Sequence, residues 1–274
     1  HRDLHSFPTR RSSDLWGNAL FMAWLRDHRI PAGQTTPVDH LSFIGCRAMG
    51  ALEYEPAYQL GDNAAFSVDV QRLYDFARKV LNEKETTVLN QENAVLWQDL
   101  VKVSSSPGGK RPKAIIAINQ ATGEAISGQG SIPEGFRHFI LKYDDHPAYP
   151  YARLEYIFYR MALEAGIEMM PSELRTFNGV THFLTRRFDR EGNHKIHTQT
   201  LAAMSPGSDC YEDIFGLIRR LNLPYHDSRQ QYLRMVFNVI ARNVDDHSKN
   251  FSFCMNREGI WRLSPAYDLA YSAD

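Results

Sequence analysis

The sequence predicts an α+β fold in which a helical N-terminal region is followed by a β-rich middle and a helical C-terminal region. Three observations carry that expectation. Apolar residues recur at helical spacing in residues 16–29, 69–81 and 229–242. Between these stretches, KAIIAIN (113–119), FRHFILKY (136–143) and VTHFLTRRF (180–188) are strand-like runs. The chain has 274 residues, 43% hydrophobic and 23% charged, which is globular and large enough for a two-lobed domain.

In chain order, Leu20, Phe21, Trp24 and Leu25 form the apolar stripe of the first helix. A short second helix is expected over 39–44, broken at Gly45, then a turn-to-strand piece over 49–54. Val70, Leu73, Phe76, Ala77 and Val80 mark the next helix, and this helical region ends near Lys102. The segment 104–113 (SSSPGGKRPK) should join two strand-like stretches through its glycines, and Gly123 should turn the chain. A helix over 151–165 places Leu154, Ile157, Phe158, Met161 and Ala162 on one side and stops at Gly166. In the helix 229–242 the apolar stripe is Leu233, Val236, Phe237 and Ile240. The expected division is 16–102, 103–186 and 187–274.

Composition excludes several classes. The formal net charge is -1, from 31 basic and 32 acidic side chains, so nothing global attracts nucleic acid or an anionic membrane. Cys46, Cys210 and Cys254 have no zinc-site spacing and form no even disulfide framework, which suits a reducing cytoplasm. No apolar run is long enough to span a bilayer. Residues 1–15 need separate treatment, because HSFPTRRSSDL (5–15) resembles the translation of a sequencing adapter and is expected to have no fold. The His1-Arg2-Asp3 triplet lies just before it and lacks the context of a catalytic loop. On this reading the chain is a fragment cut at both ends, and the fragment itself is expected to be inactive.

The chemistry concentrates in residues 243–268, NVDDHSKNFSFCMNREGIWRLSPAYD. A helix runs into a polar loop; a strand, a turn at 256–259 and a second strand follow. A hairpin of that length returns to its origin, so Asp268 should come back beside Asn250. Asp245, Asn250 and Asp268 then offer oxygen atoms at one point, as phosphoryl transfer requires: a carboxylate to deprotonate a hydroxyl, and an Asn and an Asp to hold Mg²⁺. Asp245 and Asn250 also stand at the D-x-x-x-x-N spacing of kinase catalytic loops. The bland reading is a solvated Asp/Asn-rich turn. The glycine loop, including Gly108 and Gly109, could present backbone N–H groups to phosphates, although it matches neither Walker A nor G-x-G-x-x-G. Gly128 and Gly130 read as a turn.

NVDDHSKNFSF and LSPAYDL, with WGNALF, LSFIGCRAMGALEYEP, SSSPGGKRPKA, FILKY and RRFDR in order, are similar to the sequence blocks of HipA-like serine/threonine toxin kinases. The resemblance implies a two-lobed protein-kinase-like fold, with a β-rich nucleotide lobe, a helical C-lobe and a partial helical N-terminal subdomain. It implies ATP and magnesium as cofactors, Asp245 as catalytic base, Lys249 as a charge-neutralising residue, and Asn250 and Asp268 as metal ligands. Ser106 (or Ser105), Gly108, Gly109 and Lys113 would form the loop over ATP, with Ser106 a candidate autophosphorylation site. Lys142 would contact the phosphates, paired with Glu155 or Glu164. Phe188 and Asp189 would join the lobes, the first offering backbone to adenine and the second a carboxylate near the ribose. The family commonly has an acidic residue where this chain has Arg186. His247 reads as a packing or hydrogen-bonding residue. Expected partners are a protein substrate, such as a translation component like an aminoacyl-tRNA synthetase, and a DNA-binding antitoxin, with no membrane and no direct nucleic-acid contact. Two other readings stay open: a kinase-like module that binds without turnover, and a metal-dependent phosphohydrolase using Asp245, Asp246 and His247.

Overall fold

Helix α1 (Leu15–Asp27) begins at the last residue of the adapter-like stretch, and the computed structural model describes residues 15–58, 65–82, 94–104, 109, 111–144 and 149–271. The adapter-like residues 1–14 and the loop residues Ser105, Ser106 and Gly108 lie outside them. Helix α2 (Pro37–Ile44) starts with a capping box between Thr36 and Asp39 and stops at Gly45, whose φ of 55° only glycine adopts cheaply. The strand expected over 49–54 is not formed. Gly50 turns the chain there with φ 76°, and its backbone groups are bonded to Asp189 and Arg190 instead of to a ladder. Helices α3 (Val70–Asn82) and α4 (Ala94–Ser104) come next. Trp97, Leu100, Val101 and Val103 are buried on α4, so the glycine loop runs from a helix to a strand and joins no strand pair.

The β-rich part contains β1 (Lys113–Asn119), β2 (Ala125–Ser127), β3 (Phe136–Lys142), helix α5 (Tyr151–Glu164), β4 (Ser172–Phe177) and β5 (Val180–Arg186). They form one antiparallel sheet in the order β2-β1-β3-β5-β4. Strand β1 is buried over six of its seven residues and sits inside the sheet. The second half continues with β6 (Arg190–Glu191), β7 (His194–Lys195), β8 (His197–Thr200), α6 (Leu201–Met204), α7 (Tyr211–Arg220), α8 (Tyr225–Ala241), β9 (Ser252–Met255) and β10 (Trp261–Leu263). Strands β10, β9 and β8 make a second antiparallel sheet.

One apolar core joins α1, α3 and α4 to the sheet: Trp16, Leu20, Trp24, Leu73, Phe76, Trp97 and Leu100 pack with Ile116, Ile118, Phe139 and Leu141. Trp16 fixes the contact, its backbone N–H donating to the Gly109 carbonyl (3.2 Å) and its indole N–H to that of Lys113 (3.1 Å). Gly128 packs so closely on β1 that a Cβ would lie 2.5 Å from the Ile116 carbonyl carbon, so its role is packing.

Two helices bury faces other than those expected. On α5 the buried residues are Ala152, Tyr159 and Ala162, while Ile157 and Met161 are exposed. On α8 the buried stripe is mostly polar: Asp227, Gln230, Gln231, Arg234, Phe237 and Asn238, with Ile240 exposed. These polar groups grip the β10 end of the next hairpin. Asp227 binds the Arg262 guanidinium and the Leu263 N–H, and Arg234 donates to the Ser264 carbonyl. Helix α8 thus fixes the hairpin that carries Asp268.

Two buried histidines make the fold acid-sensitive. Burial, and for His138 also the nearby Arg187, hold His138 and His182 down at about 4, against roughly 6.5 in an unfolded chain. The unfolded state therefore binds more protons below pH 6.5, so the stability from keeping these rings neutral is complete above 6.5 and lost as pH falls toward 4. Between pH 7.5 and 5.5 the pair should cost about 3 kcal/mol of stability. Urea midpoints at the two pH values check this, and equal midpoints would exclude it.

Candidate active site

Lys113 and Lys142 stand directly opposite each other in the β1–β3 register. Two ammonium groups side by side need counter-charges, and two acids supply them. The Lys142 Nζ forms ion pairs with both Glu155 of α5 and Asp268 beyond β10. Glu155 therefore is the partner, and Glu164 is exposed at the far end of the helix. Burial alone would raise the Asp268 carboxyl, but Lys142, Lys113 and His247 outweigh it and hold it down at about 2. Burial raises Glu155, with Lys142 opposing. Burial also works against the charged form of Lys142, yet its two carboxylates raise it further than burial lowers it.

The polar loop is built by its own backbone and by the returning hairpin. Helix α8 ends in a left-handed cap at Arg242 (φ 54°), and the Asn243 side chain donates to the Asn238 side chain and to the Asp268 carbonyl, both at 3.1 Å. That second bond brings Asp268 to the start of the loop. Tyr267 binds its other end, donating to the Lys249 carbonyl at 2.8 Å and contacting the Ser252 hydroxyl. The Asn250 amide N–H donates to the Asp245 carbonyl at 2.7 Å, which leaves its oxygen for another role. The Asp245 carboxylate is 47% exposed, with His247 Nε2 3.8 Å away. Asp268 has φ 54°, a left-handed conformation that a non-glycine residue holds only under constraint.

The donor set suits a magnesium–phosphate pair. Asn250 offers an amide oxygen, Asp268 has a second carboxylate oxygen beyond the one on Lys142, and both are hard ligands of the kind Mg²⁺ takes. Lys113 and Lys142 add the positive charge that phosphates require. Gly109, with φ 113°, keeps the loop close to Lys113: a Cβ there would lie 2.5 Å from the Lys113 Nζ.

Asp189 requires correction. Its carboxylate is buried and engaged by Arg187, Arg190 and the Gly50 N–H, so it is not open to a ligand, and it is held at about 2, where these cations outweigh the raising effect of burial. The alternation of an extended chain explains this. Asp189 turns toward Gly50, while Phe188 before it stacks on Tyr267 at 5.7 Å between ring centroids. Asp246 is also engaged, accepting from the Tyr211 hydroxyl. Sequence reasoning missed Tyr267, Asn243 and Trp16 as the groups that tie the site together. For Trp16 and Asn243 their place in the WGNALF and NVDDH blocks was the available signal.

The family model described as HipA-like C-terminal domain matches residues 105–274. Y4mE of Sinorhizobium fredii, a protein named as a kinase, is 29% identical over 126 residues, which is 40% of this chain and 30% of that protein. Among solved structures, the Shewanella oneidensis toxin–antitoxin complex of HipA, HipB and operator DNA is similar with a TM-score of 0.60 and 16% identity. That likeness covers 94% of this chain and 64% of the other. The chain thus spans less than two thirds of either relative. At this identity the structural likeness shows the fold alone, a kinase-like α+β architecture.

Proposed function

We propose, from the premise that this chain belongs to the HipA-like C-terminal domain family, that it forms the catalytic part of an ATP- and magnesium-dependent protein serine/threonine kinase. The observation that carries the proposal is the meeting of Lys142, Glu155 and Asp268, drawn from a strand, a helix and a post-hairpin loop. A merely solvated turn has no use for that convergence. Asp245, half exposed at the mouth of the loop, accepts the proton of the attacking hydroxyl. Lys142 and Lys113 orient the phosphates, Asn250 and Asp268 hold the ion, and Lys249 neutralises charge on the transferring group. Bound magnesium supplies neutralisation of the phosphate oxygens. Backbone groups around Phe188 receive the adenine.

The composition of the Shewanella assembly, HipA with HipB and operator DNA, supports a further part of the reading: a HipB-like DNA-binding antitoxin as partner and a toxin role in the cytoplasm. No helix among the described residues is long and apolar enough to cross a membrane. The phosphohydrolase reading is disfavoured because Asp246 is already bound by Tyr211. The test is incubation with Mg-ATP labelled at the γ-phosphate. Phosphoserine or phosphothreonine should form on protein, and should not form when EDTA is present from the start. Release of free phosphate with no protein labelled would instead select the phosphohydrolase.

A further inference from the structure

The reverse side of the lobe connection carries more positive charge than its structural role needs. Arg137, Arg186, Arg187 and Arg190 line one small recess there, together with His138, Ile132, Phe136 and Gly192. The carboxylate bound to them is Asp189, which serves both Arg187 and Arg190. Nearby, Lys195 is paired with Glu53 and so leaves the balance unchanged. Four guanidinium groups against one carboxylate make a local field that favours an anion.

The recess also contains an unmet donor. Arg187 is 1% exposed, and its Nε and Nη2 are bonded to Asp189, while Nη1 is shut off from solvent with no hydrogen-bond partner. A buried guanidinium N–H left unpaired is costly, so its presence calls for a partner. Across from it, His138 is bonded through Nδ1 to the Gly128 carbonyl at 2.9 Å, and its buried Nε2 is likewise unpartnered. With Nδ1 as donor, Nε2 is an acceptor. The free volume is about 10 Å³, room for one oxygen atom. Arg186 is half-buried and Arg137 exposed, so both can close on the rest of a ligand from outside.

We propose that this recess is an anion site for a phosphate group, separate from the Lys142–Asp268 cleft. One phosphate oxygen accepts from Arg187 Nη1, Arg137 and Arg186 bind the outer oxygens, and the O–H of hydrogen phosphate reaches His138. Guanidinium forks match phosphate geometry, which singles out this anion over a chloride. The recess's lining residues Arg187 and Arg190 flank Phe188 and Asp189 in sequence.

The test uses the whole chain and inorganic phosphate as probe, by calorimetry at pH 7 and constant ionic strength with chloride as the balancing anion. Saturable binding is expected, weakened at least about tenfold in the Arg137→Gln/Arg186→Gln double variant. Those two side chains lie outside the apolar core, so the variant should fold, and an unchanged circular-dichroism melt in chloride verifies that it does. Phosphate should also raise the melting temperature of the parent more than that of the double variant. Binding that is equal in both proteins, or absent from the parent at 10-millimolar-order phosphate (~10 mM, far weaker than a charge-assisted site should give), overturns the proposal. Neither result bears on the kinase reading, which rests on other residues.

Discussion

Lys142→Met is expected to weaken Mg-ATP binding severely and to destabilise the protein. The side chain is 17% exposed and Glu155 16%, so removing the cation leaves two acids facing each other with little water. Breaking such a pair from one side costs about 3 kcal/mol, near the low end of the usual range because Asp268 is 39% exposed. Loss of the phosphate contact should weaken nucleotide binding by about 100-fold or more. The pH dependence identifies the cause. In the parent, Lys142 keeps Asp268 at about 2, so its contribution is present above the unfolded value near 4 and is lost only as pH falls toward 2. In the variant, burial raises both carboxyls above their unfolded values, so the penalty should be smaller at pH 5 than at pH 7.5. Urea midpoints of both proteins at the two pH values decide it, and a penalty independent of pH would mean the lysine acts only through packing.

Asp245→Asn and Asp268→Ala should fail in different ways. The first keeps the shape of the loop, since the Asp245 backbone carbonyl, which receives the Asn250 amide, is untouched. Its phosphoryl transfer should fall by about 10³-fold or more, with nucleotide binding nearly unchanged, because a base works only during the reaction. Asp268→Ala removes a ligand atom and the counter-charge of Lys142, so Mg-ATP binding itself should weaken. Nucleotide titrations and phosphate-transfer rates on both variants separate the roles. Parallel loss of binding in the two would show that Asp245 is not the base.

Much of the fold was legible because its strongest patterns are local. KAIIAIN is strand β1 residue for residue, and the stop at Gly166 and the break at Gly45 fall where glycine signals placed them. Strand β4 was missed, although Asn178-Gly179 announced it. Both residues have positive φ, at 45° and 85°, in a two-residue hairpin whose flanking partners are Phe177 and Val180. The half-buried SELRTF has no alternation, and so pattern alone could not find it. The faces of α5 and α8 were misjudged for one reason. Apolar periodicity assumes an oily core, whereas these helices turn polar groups inward to hold the site. Glu155 falls on the α5 stripe of Ala152, Tyr159 and Ala162, and an acid on a buried stripe is a signal of its own. Asp189 was misassigned because spacing cannot say which way an extended residue faces. The likeness of family blocks named the cleft residues as a set, and the register of β1 against β3 supplied what spacing could not, the two lysines side by side.

Trp16 has a consequence for how the molecule comes apart. It holds the carbonyls of both Gly109 and Lys113 while its ring sits wholly buried in the core shared with β1 and β3. The helices before the sheet and the sheet itself should therefore melt as one cooperative unit, with a single transition in a thermal scan. A nick or deletion in the early helices should be felt at the Lys113 end of the sheet, more than 90 residues later in sequence. The helical segment and the five-stranded sheet share one core, so recombination at the apparent border near Lys102 would split that core rather than exchange a domain.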